Sequence, residues 1–438
     1  MTNSRIQNSE FRILLQGGRV IDPLNQRDGL FDIMIEDGKI VEIAAQISNP
    51  KSQIEMFDAK GLIVTPGLCD MHVHLREPGR EDEETVESGS RAAAAGGFTA
   101  VACMPNTQPV CDNQGIVRLV RSRQVPCCNV HPVGAVTKGL GDEELAEMGD
   151  MHLSGAVAFS NDGKPVSSPN LMRRALDYLR MFDAPVIAHC EELGLSADGL
   201  MNEGALATRL GLRGIPNAAE AAMAYRDCQL AALTGGRLHI AHVSCAQTVE
   251  VVRQAKRHGV RVTAETCPHY FTLTEDAVIG YREMARVNPP LRGEADRAAV
   301  IEGLRDGTID CIATDHAPHS LEEKEVEFDQ APCGMVGLET ALGLCWTHLV
   351  GAKALTPSQL VEKLCVNPRK ILKLGNGKLE TGNGADLTIF DPEKSWTVEP
   401  DKFLSKSRNT PFAGFKLQGR AVMTVVNGQL FKAGDLKK

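Results

Sequence analysis

No stretch of the 438-residue sequence approaches the about 18 consecutive apolar residues of a membrane-spanning helix. The opening MTNSRIQNSE carries no apolar core of a secretory signal, so a cytoplasmic location is expected. Basic runs are missing too. The 47 lysines and arginines are scattered among 56 aspartates and glutamates, leaving a formal net charge of −9 and a pI near 5.8. Neither a nucleic-acid surface nor an anionic-membrane surface is advertised, and the expected partner is a small molecule. There is no CxxC pair. The 13 cysteines are odd in number and stand singly from Cys69 to Cys365, apart from adjacent Cys127 and Cys128. In a reducing compartment they read as small buried hydrophobes. What is present is ordinary globular composition, 43% hydrophobic and 24% charged, ample for one large core and a smaller appended domain.

The two ends of the chain share one pattern. Short strands at Phe11 to Leu15 and Phe31 to Ile35 lead through Glu36-Asp37-Gly38-Lys39 into a strand at Ile40 to Ile43. Near the other end, Ala385 to Phe390 and Met423 to Val426 lead through Asn427-Gly428 into Gln429 to Phe431. Asp-Gly and Asn-Gly between apolar strands mark tight hairpins. Neither end has strands enough to bury a face alone, so residues 1–65 and 384–438 are expected to form one small β-sandwich.

Residues 66–383 alternate apolar strands with helical patterns, as parallel βαβ units do. Eight strands are predicted, at Cys69–His74, Thr99–Met104, Asn129–Ala135, Gly155–Ser160, Val186–His189, Leu238–His242, Arg261–Thr266 and Asp310–Thr314, with helices including Glu81–Ala95, Asn170–Met181 and Ala218–Thr234. Eight repeats over roughly 300 residues fit an α/β fold of the closed (β/α)8 TIM-barrel type. No GxGxxG follows the first strand, so the dinucleotide-binding alternative has little support.

The strongest local signal is Asp70-Met71-His72-Val73-His74-Leu75-Arg76. Strand side chains alternate, so His72 and His74 face the same way and can chelate one metal ion. His189, His242 and Asp315 stand at the ends of later strands, where barrel active sites are assembled. Imidazole with carboxylate suits zinc, although manganese, cobalt or nickel could take the same ligands.

On these residues the chain resembles the amidohydrolase superfamily. Within it, Asp70 to Gly79 and Ala313-Thr314-Asp315-His316-Ala317-Pro318-His319, followed by Lys324, are similar to the two dihydroorotase signatures. The resemblance implies that His72, His74, Asp162, His189, His242 and Asp315 hold one or two zinc ions and that Arg76, Asn106, Asn288 and His319 hold a carboxylated pyrimidine ring. A guanidinium beside amide donors suits a carboxylate. For Asn106 and Asn288, each neighbouring proline, turn chemistry is an equal reading. Related hydantoinases and allantoinases bridge their metals with a carbamylated lysine on strand four. Here Gly155 to Gly163 contains none, and Asp162 matches the aspartate of type I bacterial dihydroorotases. Asn161-Asp162-Gly163 also makes a turn unaided.

The resemblance further implies reversible cyclisation of N-carbamoyl-L-aspartate to L-dihydroorotate, a step of pyrimidine biosynthesis. The metal would activate water and polarise the ring carbonyl, and Asp315 would be both ligand and acid-base catalyst. A homodimer is expected, and association with aspartate transcarbamoylase occurs among some relatives. The 319–334 loop is long enough to cover the site, as a mobile lid or a fixed excursion. The rivals are an allantoinase, a hydantoinase or dihydropyrimidinase, or a non-catalytic scaffold. A scaffold should have lost several of the five residues His72, His74, His189, His242 and Asp315, and all are present.

Overall fold

Side-chain alternation decides the ends of the chain. In the computed structural model, which describes residues 12–48, 54–375 and 377–436, strands β1 (Arg12–Asp22), β2 (Arg27–Glu36), β3 (Lys39–Ala44), β4 (Glu55–Asp58) and β5 (Ile63–Pro66) from one end join three from the other. Phe11 and the first ten residues lie outside the described residues. Ile13 and Leu15 on β1 pair with Ile35 and Ile33 on β2, so one face becomes continuously apolar.

The central region supplies β6 (Leu68–Val73), β7 (Phe98–Cys103), β8 (Asn129–Ala135), β9 (Ala158–Ser160), β10 (Pro185–Ala188), the short pair β11 (Met201–Asn202) and β12 (Gly214–Ile215), then β13 (Arg237–Ile240), β14 (Val262–Thr266) and β15 (Cys311–Ile312). The C-terminal strands are β16 (Leu387–Thr397), β17 (Lys416–Val426) and β18 (Gln429–Lys432).

The terminal strands form one mixed sheet in the order β18-β17-β16-β5-β1-β2-β3, with β4 beside β1. The tips of its β2–β3 and β17–β18 hairpins approach each other. Gly38 and Gly428, both at positive φ, sit so close that a Cβ on Gly428 would lie 2.3 Å from the Gly38 Cα. Asp37 and Asn427, the residues before them, also have positive φ, as the tight hairpins anticipated from Asp-Gly and Asn-Gly require. Ile33, Ile35, Val64, Leu387, Ile389 and Val425 share the enclosed core.

All eight predicted barrel strands form, parallel and in the order β15-β14-β13-β10-β9-β8-β7-β6. The ring closes where Val73 bridges His316 and the His74 amide donates to the His316 carbonyl at 2.8 Å. The buried Asp70 carboxylate tightens the seam by accepting from the Thr314 and His72 amides. Met71, Ala102, Val133, Ile187, Ala241 and Ala313 fill the barrel interior. Several expected elements are shorter, the eighth strand most of all, with only Cys311–Ile312 of the expected 310–314. The fourth strand begins at Ala158 because Gly155, at φ 111°, still belongs to the preceding turn. The helix expected from Glu81 begins at Val86, because Thr85 and Ser88 form a capping box that sets its start. Glu83 and Glu84 are therefore loop residues, free to turn toward the barrel mouth. The other two helices run Pro169–Leu179 and Asn217–Thr234. No helix among the described residues is long and apolar enough to cross a membrane. Every cysteine is a free thiol, and all but Cys333 are buried.

Candidate metal centre

Each proposed ligand stands at or just beyond the C-terminal end of a barrel strand. His72 lies on β6 and His74 one residue past it, Asp162 and His189 follow β9 and β10, and His242 and Asp315 follow β13 and β15. The Asn161-Asp162-Gly163 turn forms as its composition suggests, and it also aims Asp162. Asn161 Oδ1 accepts from the Val136 and Thr137 amides, the Asp162 amide donates to Ser160 Oγ, and Gly163 takes φ 87°. His242 and Asp315 adopt φ 36° and 49°, a region non-glycine residues rarely enter and one that concentrates at functional sites.

Asp162 organises the cluster. Its Oδ2 lies 3.2 Å from His72 Nε2 and 3.4 Å from His74 Nε2, while Oδ1 lies 3.3 Å from His242 Nε2 and 3.6 Å from His189 Nδ1. Asp315 Oδ1 joins the first pair, 3.2 Å from His74 Nε2 and 3.5 Å from His72 Nε2. Two donor groups therefore share one carboxylate: His72, His74, Asp162 and Asp315 on one side, Asp162, His189 and His242 on the other. Lys164 is exposed beyond the turn.

Burial opposes charge on Asp162, Asp315, His72, His74 and His189, yet their mutual attraction prevails. Asp162 is held well below the usual carboxylate range by His72, His189 and His242, and Asp315 by His74 and His72. His72 and His74 rise in turn against the same carboxylates, and His189 rises to about 10 beside Asp162 and Glu191. Buried imidazoles paired with buried carboxylates are a donor set that fits a cation, which would displace the imidazole protons. His72 Nε2, fully buried, has no hydrogen-bond partner and fits a ligand atom facing such a cation.

The far nitrogens of three of the histidines are held from behind. Glu265 Oε1 lies 2.6 Å from His72 Nδ1, Asn106 Oδ1 2.8 Å from His74 Nδ1, and Glu191 Oε2 3.1 Å from His189 Nε2. Such partners fix ring orientation and tautomer. Glu265 and Glu191 are each brought down to about 2 against the cost of burial, by His72 and His239 in one case and by His189 in the other.

The residues expected to hold a carboxylated ring occupy two edges of this centre. Arg76 and His319 stand together, Nη2 3.3 Å from Nε2, with the buried Glu83 carboxylate 3.1 Å from Arg76 Nε and 3.0 Å from His319 Nδ1. Asn288 stands at the opposite edge, where its Nδ2 donates to Glu191 at 3.0 Å. Asn106 is brought to the centre through its contact with His74. The 319–334 loop is pinned at its base. Lys324 Nζ donates to the Pro332 and Gly334 carbonyls, and Asn409 Nδ2 donates to Ala317 and Gly334. Arg286 donates to the Phe328 carbonyl and lies over its ring.

Residues 61–248 match the family model described as dihydro-orotase-like. The dihydroorotase of Pelotomaculum thermopropionicum is 55% identical over 420 residues, 96% of this chain and 98% of that one. That of Acetivibrio thermocellus is 53% identical over 95% and 98%. The chain belongs to the dihydroorotase family. It is accordingly a cyclic amide hydrolase, and its barrel resembles those of other such enzymes. L-hydantoinase (dihydropyrimidinase) from Arthrobacter aurescens superposes with a TM-score of 0.86 at 26% identity, covering 96% of each chain.

In this dihydroorotase-family chain, sequence reasoning missed the groups behind the ligands. Glu191 could have been found, since it follows His189 by only two residues, in the same loop beyond β10. Glu83 and Glu84 were hidden inside an expected helix; Glu84 receives His316 Nε2 at 3.2 Å. Glu265 and His269 had no local signal. His269 is buried with Nε2 unpartnered, in one group with Cys267 and Asp315.

Proposed function

We propose that the chain catalyses the reversible cyclisation of N-carbamoyl-L-aspartate to L-dihydroorotate, with zinc held by His72, His74, Asp162, His189, His242 and Asp315. The observation that carries this reading is the Asp162 carboxylate, with one oxygen toward each histidine pair where hydantoinase-like enzymes place a carbamylated lysine. Imidazole and carboxylate donors in this number suit zinc. Bound there, the metal would supply an activated water and polarise the ring carbonyl.

The protein's own groups do the rest. Asp315 stands at the centre of the mouth, placed to take the proton from the attacking water and give it to the departing nitrogen, or to remove the ureido proton in the closing direction. Arg76 offers a guanidinium whose Nε is engaged by Glu83 and the Pro318 carbonyl and whose Nη2 meets His319, which leaves Nη1 to orient the substrate carboxylate. His319 and Asn106 stand on that side, and Asn288 on the other. The division at 65/66 and 383/384 belongs to the same proposal, supported by the single sheet shared by β1–β5 and β16–β18. Family resemblance alone supports a cytoplasmic homodimer able to associate with aspartate transcarbamoylase.

A panel of dihydroorotate, allantoin and dihydrouracil tests the substrate, with turnover expected on dihydroorotate and not on the other two. The bridge is tested by reconstitution. Apoprotein should recover full activity with zinc alone in carbon-dioxide-free buffer, and Lys164→Ala should stay active. Asp162→Ala should lose activity and at least one metal equivalent. Bicarbonate-dependent recovery would restore the hydantoinase-like reading.

A further inference from the structure

The interior of the barrel is lined by Met71, Ala102, Val133, Ile187, Ala241 and Ala313, yet one charged side chain stands among them. Glu265 on β14 has no exposed surface, and its backbone pairs with Cys311 on the neighbouring strand. A buried carboxylate is costly to desolvate unless it is paired, and the interior of such a barrel is ordinarily filled by branched apolar residues. A leucine would serve packing alone. The carboxylate hydrogen-bonds one imidazole and faces a second. Oε1 meets His72 Nδ1 at 2.6 Å, and Oε2 faces His239 Nε2 at 3.3 Å. His239 is anchored in turn through Nδ1, 2.8 Å from Thr263 Oγ1. A polar column thus rises from Thr263 through His239 and Glu265 to His72, whose Nε2 looks out on Asp162 and Asp315.

An imidazole ligates through a nitrogen that carries no proton, so His72 is useful to a cation at Nε2 only while its proton stays on Nδ1. In an apolar interior that proton needs a fixed acceptor. We propose that Glu265 is the positioning residue for His72, accepting its Nδ1–H so that the Nε2 lone pair is presented to a metal held with His74, Asp162 and Asp315. Nothing equivalent stands behind His242, whose Nδ1 is buried without a partner. The inference rests on the metal-centre reading above and names a residue that contacts neither substrate nor metal.

The test compares the zinc-loaded wild type with Glu265→Leu and Glu265→Gln, titrating zinc out with a chromogenic chelator and recording the melting temperature of each apoprotein. Losing the partner of a ligating histidine typically weakens metal binding by roughly 10–100-fold. Glu265→Leu should weaken one equivalent by that factor and leave the His189–His242 equivalent unchanged. Glu265→Gln should fall between, because its amide oxygen still accepts from Nδ1–H. Equal weakening of both equivalents in step with a lowered melting temperature would mark Glu265 as merely structural and overturn the proposal. Wild-type affinity for both equivalents in Glu265→Leu would overturn it as well. A wild type that takes up no zinc would remove the metal-centre reading itself, which separates the two failures.

Discussion

The barrel rim and the sheet built from the chain ends use the same alternation of side chains to opposite effect. In the sheet, positive φ angles at the two facing hairpin tips fall on Asp37-Gly38 and Asn427-Gly428, residues suited to them, and the enclosed face is apolar throughout. At the rim, positive φ falls on Arg76, His242 and Asp315, and His72, His242 and His269 each leave a buried nitrogen without a hydrogen-bond partner. Backbone strain of this kind costs about 1–3 kcal/mol per residue. In the sheet such departures are isolated, as at Gln26 and Thr424, whereas at the rim they gather where donors must converge on one point.

If that contrast is right, rim substitutions should damage chemistry more than stability, and sheet substitutions the reverse. The largest effect is expected for Asp315→Asn, which should keep most of its metal on the remaining ligands yet lose at least about a hundredfold in kcat, the scale of a removed acid-base group. Near-normal turnover would end its catalytic role. Ile389→Ala, fully buried in the sheet, should cost roughly 2–5 kcal/mol in denaturant unfolding. Its kcat and KM should not change; a variant that kept its stability and lost activity would break the comparison.

Arg76→Ala should raise KM for dihydroorotate by about 10- to 100-fold, as loss of a charged hydrogen bond implies, and much less for a ring lacking the carboxylate. Equal losses on both would refute carboxylate recognition. The smallest effect concerns Lys324 under the loop, where burial lowers the amine from 10.5 to about 8. Between those values the unfolded chain binds more protons than the native one, so this group's contribution to stability grows as pH rises and is lost as pH falls through 8. The unfolding free energy of wild type minus that of Lys324→Met should climb from pH 8 to 10.5. A flat difference would show that the amine is not perturbed.

Most of the fold was legible because its signals are local. Eight barrel strands and the terminal hairpins follow from runs and turns within a few residues of one another. Strand ends were less legible at Gly155, where a positive φ delays the fourth strand. The helix start depended on the capping box of Thr85 and Ser88, which leaves the acidic run Glu81 to Glu84 in the loop before it. The ligand types could be read as well, since His72 and His74 stand two residues apart at the end of one strand and the others sit at strand ends.

The sequence by itself determined the architecture and the absence of a lysine where relatives carry one, since each is written in neighbouring residues, and the resemblance it carries proposed the donor residues. Only the tertiary structure decided that the two oxygens of Asp162 divide between the histidine pairs. It alone set Glu83 between Arg76 and His319, and Glu265 behind His72, 193 positions away in the chain. Those contacts join strands and loops that meet only once the barrel closes, and no periodicity along the chain encodes a distance across its mouth.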